Sequence, residues 1–148
     1  MSDNSSVNNR FEQPGGGRDN KFIVGGSMQT ETAQNLKTKT VTVPIGDIST
    51  AGSVWVVPGF AGTIKKIGTV IDTTITTANA GLTFEIGGTA VTGADITIAF
   101  TGSLPGTVDQ SAPTALNVIT ASEAIEIVKD GLSTVASNGV VTFEIEPS

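Results

Sequence analysis

The chain has 148 residues, a net charge of −6 and 15% charged side chains, low beside the roughly 25% usual for a globular protein. It contains no Cys, His or Tyr, which removes disulfides, thiolate chemistry, Ser–His catalysis and the usual zinc ligands. Residues 1–40 carry five cations against four acids, whereas residues 41–148 carry three lysines against ten acids, so the larger part repels nucleic-acid phosphates and anionic membranes.

Residues 1–37 are rich in Asn, Ser, Gly and Gln, with a break at Pro14-Gly15-Gly16-Gly17. Such a segment buries too little to fold alone. We expect a flexible N-terminal arm that orders on a partner, with Phe11, Phe22, Ile23 and Val24 as its partner-binding residues, because an apolar cluster in a solvated tail is wasted unless something covers it. The first twenty residues lack the apolar stretch of a signal peptide, and no run reaches the ~18 apolar residues of a membrane span. Synthesis and folding in a cytoplasm, whatever the final location, are therefore expected.

Residues 38–148 read as one all-β domain. Val41, Val43 and Ile45 alternate with Thr40 and Thr42, and Pro44 makes this an edge strand or its end. Val54-Trp55-Val56-Val57 is apolar on both faces, which predicts a central or sandwiched strand with Trp55 in the core. An exposed Trp55 would instead be an interface anchor. Lys65-Lys66 breaks the next alternation and predicts a bulge or an edge.

Three alternating strands follow: Ile67, Thr69, Ile71, Thr73 and Ile75 share one face, then Leu82, Phe84 and Ile86, then Ile96, Ile98 and Phe100. Asn79-Ala80-Gly81, Gly87-Gly88 and Gly93-Ala94-Asp95 supply the turns. Residues 101–113 make a loop long enough to suggest a functional or interfacial role. Short strands are expected at Leu116–Ile119 and Ala124–Val128, then a weak strand or loop at Leu132–Ala136. A hairpin turn at Ser137-Asn138-Gly139 leads to a closing strand with Val141, Phe143 and Ile145 inward. About eight or nine short strands make an antiparallel β-sandwich or jelly-roll-like domain of two packed sheets.

Little in this pattern carries chemistry. The carboxylates Glu85, Glu123, Glu126, Glu144 and Glu146 could pair for glycoside hydrolysis, but Glu85, Glu126 and Glu144 occupy outward phases of their strands and read as solvated charges. Asp95, Asp109 and Asp130 stand in Gly-containing loops without the spacing of a known calcium loop. Gly87-Gly88 with Gly93 has no Lys in reach and no following helix, so it is not a phosphate loop. No cofactor and no enzymatic activity are expected.

Three stretches resemble the small β-rich virion proteins of tailed bacteriophages, of the capsid decoration, cement or head-fibre class. They are Val56-Val57-Pro58-Gly59-Phe60-Ala61-Gly62-Thr63-Ile64, the hairpin from Phe84 to Gly93, and the closing pattern of Asn117–Ile127 with Val140–Ile145. The resemblance covers about residues 41–146 and implies a jelly-roll or sandwich domain. It also implies a homotrimer that binds the major capsid protein on the outer surface of a phage head, with an N-terminal arm reaching into the lattice or a neighbouring subunit. Other virion roles (tail, neck or fibre) and a carbohydrate-binding β-sandwich remain as alternatives.

Overall fold

The computed structural model describes residues 38–148, and the expected arm with Phe11, Phe22, Ile23 and Val24 lies outside the described residues. The described chain is all-β and contains ten strands. They are β1 (Lys39–Asp47), β2 (Gly52–Val56), β3 (Gly62–Ile71), β4 (Ala80–Ile86), β5 (Thr89–Ala90), β6 (Ile96–Ile98), β7 (Asp109–Ser111), β8 (Val118–Ile119), β9 (Ile125–Lys129) and β10 (Asn138–Pro147). The first sheet runs β1-β10-β3-β7, with β8 also on β3. The second runs β2-β9-β4-β5, with β6 also on β4.

Every pairing is antiparallel, and the pairs are nested. The first strand meets the last, the second meets the last but one, and β4 meets its own successor β5. A long hairpin rolled into two sheets in this way is the jelly-roll arrangement. Its innermost turn is Gly87-Gly88, where both residues have positive φ (58° and 78°), as a two-residue hairpin between right-twisted strands requires.

The core lies between the sheets and is built from the inward phases expected of alternating strands. Ile64, Ile67, Ile71, Val141, Phe143 and Ile145 come from the first sheet, and Leu82, Phe84, Ile86, Ile98, Ile125 and Ile127 from the second. Phe84 meets Phe143 edge-to-face across the gap. Ile48 and Ile75, which belong to no strand, fold in from the loops and are fully buried.

Several expectations change. The strand at Val54–Val57 is not central: among the described residues β2 is an edge strand bonded to β9 alone, and Trp55 is 60% exposed. Its inward residues Val54 and Val56 pack on the core, and alternation leaves Trp55 facing out. Phe100 is 40% exposed and lies beyond β6, because the chain turns at Ala99, whose carbonyl accepts bonds from Gly102 N and Ser103 N. Buried Ser103 takes the inner position, its hydroxyl accepting the Ala99 N–H.

The third strand stops at Ile71, so Thr73 faces solvent. Lys65 is indeed at a bulge, where Glu144 faces Lys66 but Ile145 faces Ile64; yet β3 is interior, not an edge. The long loop 101–113 contains β7, which joins β3. Ser137-Asn138-Gly139 is no hairpin turn: Asn138 and Gly139 open β10, whose neighbours are β1 and β3.

Candidate interface

The two outer faces carry different electrostatics. On the first sheet, Lys65 and Lys66 pair with Glu146 and Glu144 at 3.1 and 3.8 Å. Two of the five candidate carboxylates are thereby neutralised by neighbours on the adjacent strand. A shallow groove of about 370 Å³ crosses this face, where Gly68 provides no side chain and Val108 and Gln110 form a wall.

The second sheet is acidic. Glu126 of β9 stands directly opposite Glu85 of β4 on one side and Trp55 of β2 on the other. The outward row is therefore Trp55–Glu126–Glu85, with Ser53–Val128–Thr83 as the next. Asp95 and Asp130 share a hollow of about 210 Å³ with Thr83, Thr97 and Val128 at the end of the same face. Lys129 is the only basic residue in the five strands of this sheet. Its amine is turned away and donates to the carbonyls of Ile45 and Asp47 in the first sheet, both at 2.9 Å. The face thus keeps its carboxylates without a cation from its own strands.

Like charges opposite one another in an antiparallel pair are destabilising. The sequence shows that Glu85 and Glu126 face outward, but not that they face each other, since the register of strands forty residues apart decides that. Glu123 lies near the Gly87 turn and Asp109 sits on β7 opposite Thr69, so neither joins the row. Among the described residues no three acidic side chains come together as a metal site.

At one pole of the sandwich, where Leu132 is also exposed, loops are locked by polar bonds. The Asp72 carboxylate accepts the backbone N–H of Asn138 at 2.9 Å and its amide at 3.0 Å, and the Ser137 hydroxyl donates to the Thr73 carbonyl at 2.8 Å. Asp47 accepts the backbone N–H and hydroxyl of Ser49 and the N–H of Ser137. These bonds hold both carboxyls below the usual carboxylate range, those from Asn138 acting most on Asp72 and those from Ser49 most on Asp47, where the Lys129 charge adds a smaller pull. At the other pole the apolar side chains of Val57, Leu116 and Val118 are left exposed. Leu116 has a positive φ of 56°, a backbone conformation rarely adopted by residues other than Gly, Asn and Asp.

No family model matches the chain, and no curated protein or solved structure matches it.

Proposed function

We propose that the chain is a non-enzymatic virion structural protein, a capsid decoration or cement protein. It binds the outer surface of a phage head through the major capsid protein and stabilises the shell by inter-subunit contacts, acting as a homotrimer. The observation that carries this reading is the placement of large apolar side chains outside a well-filled core. Trp55 stands on an edge strand, and Val57, Leu116 and Val118 stand at one pole. A jelly-roll body with its core complete gains nothing in its own stability from these exposed groups; covered by neighbours, they contribute through burial. The low charge content and abundant Thr fit a surface that is largely contact.

The test is co-sedimentation with heads assembled from the major capsid protein of the same genome. Saturable binding with a raised melting temperature of the shells is expected, together with a trimer mass in light scattering. Absence of the chain from pelleted heads at micromolar concentration removes the proposal.

One observation favours a second reading, a carbohydrate-binding module. Trp55 presents its ring on an open sheet face in register with two hydrogen-bond-accepting carboxylates. Quenching of its fluorescence by a panel of oligosaccharides tests this.

A further inference from the structure

We infer that the open edge of β2 accepts an extended, basic segment of a partner protein as an added strand, with an Arg or Lys side chain seated on Trp55 and drawn to Glu126. The inference deepens the attachment reading and rests on it. Two independent features point to it.

The first is the edge itself. Exposed edges are ordinarily blunted by charge, proline or bulges. The edge strand of the first sheet has all three: Lys39, Pro44, and a bulge at Ile45 where the register to β10 shifts. β2, Gly52-Ser53-Val54-Trp55-Val56, has none of them, and its register to β9 is unbroken over five residues. Its far side has no strand partner among the described residues. It is a ready template for β-augmentation, in which main-chain bonds give affinity and alternate side chains give specificity.

The second feature is charge complementarity, which selects the occupant. A strand added beside β2 extends the row Trp55–Glu126–Glu85 by one residue, placed next to the indole. An aromatic face and a nearby carboxylate together recognise a cation: the ring attracts it by its quadrupole and the carboxylate by charge and hydrogen bonds. Arg fits best, because its planar guanidinium stacks and forks at once. The cation also relieves the repulsion between Glu85 and Glu126, which neutral sugar hydroxyls do not. A second copy of this chain pairing β2 to β2 would set its own Trp55 there, with its Glu126 three strand spacings from the first, and would bring no cation to the row.

The experiment uses the full chain and a labelled nonapeptide of alternating Arg and Thr. Trp55 is the chain's single tryptophan, so its emission reads this edge alone. Binding with a change in Trp55 emission is expected. It should weaken by about tenfold or more in the Glu85→Gln, Glu126→Gln double variant, and fall as salt rises. Two control peptides, one with Glu in place of Arg and one N-methylated on alternate residues, should not bind. Equal binding of the N-methylated peptide overturns strand addition, and equal binding of the Glu peptide overturns the charge argument. Trp55 emission that responds to oligosaccharides but not to the Arg peptide, or that changes with protein concentration alone, assigns the edge to a sugar or to a second copy and overturns the inference. So does Arg-peptide binding that appears only after Phe22→Ser and Val24→Ser, which assigns the edge to the chain's own segment. A silent peptide titration with intact head binding overturns the inference alone, and peptide binding without head binding overturns the attachment reading alone.

Discussion

Phe84 and Phe143 meet edge-to-face, with ring centroids 5.8 Å apart and planes at 87°. One ring belongs to β4 and the other to β10, so this contact joins the two sheets at the middle of the core. Both side chains are fully buried. Replacing either by Ala is expected to cost about 3–5 kcal/mol, from lost transfer free energy and the cavity left behind. The double variant should cost less than the sum by about 0.5–1.5 kcal/mol, the extra worth of an aromatic pair. Phe100→Ala, at an exposed turn, should cost below about 1 kcal/mol. Urea denaturation of the four variants checks all of these.

Lys129 carries a second link between the sheets. Its amine donates to the carbonyl of Ile45, the extra residue at the β1 bulge, and to that of Asp47. Lys129→Met keeps most of the aliphatic stem and removes both bonds. A loss of about 1–3 kcal/mol is expected, the range for leaving partly buried polar groups unpaired. A melting curve superposable on the parent's would show that water replaces the amine at no cost.

Acid should loosen the polar pole first. The carboxyls of Asp47 and Asp72 titrate below their ordinary value of 3.8 in the folded chain. A folded-state value below the unfolded one adds stability that is complete above the unfolded value and is lost as pH falls through the folded one. Stability should therefore hold steady from neutrality to about pH 4 and fall below it. Asp72→Asn should be less stable at neutral pH and show a shallower acid fall. A parent-like acid slope in that variant would exclude Asp72 as a source.

Folding should be slow for the size. The outermost pair joins Lys39 to Ile145 and the next joins Gly52 to Lys129. Sheets dominated by such distant pairings fold in milliseconds to seconds. Stopped-flow circular dichroism is the suitable probe, because exposed Trp55 changes its surroundings little on folding. Refolding within microseconds would mean that local hairpins, not the nested closure, limit the rate.

Much of the architecture is legible wherever apolar and polar residues strictly alternate. Leu82-Thr83-Phe84-Glu85-Ile86 and Val141–Ile145 could hardly pair any other way without turning Ile and Phe to water. Val54-Trp55-Val56-Val57 is not legible, because a run apolar in both phases does not say which phase is covered. Phe100 is misplaced when a period is extended through the turn that the chain makes at Ala99. The strand Asp109-Gln110-Ser111 has no apolar pattern at all and is held by its bonds to β3. Asn138-Gly139 carries the local mark of a hairpin, yet its backbone groups are claimed by β1 and β3. For the candidate interface, the outward phase of Glu85 and Glu126 is readable. Their juxtaposition and the exposure of Trp55 are not, since both follow from cross-strand register and sheet order.

The nested closure also dictates how the body bears load. Lys39 and Ile145 are partners in adjacent antiparallel strands, so Thr38 and Ser148 leave the domain at the same end. Tension applied between these two points acts along the cross-strand hydrogen bonds, which lie perpendicular to the strands. The bonds then break in succession, like a zipper, at low force. Shear along the strands loads a whole ladder at once, and compression through the broad faces is met by the close-packed core between the sheets. The domain is therefore weak as a tether pulled by its ends and stiff as a plate pressed on its faces, and single-molecule pulling from 38 and 148, set against pulling from opposite ends of two adjacent strands, would display the contrast between zipper and shear loading directly.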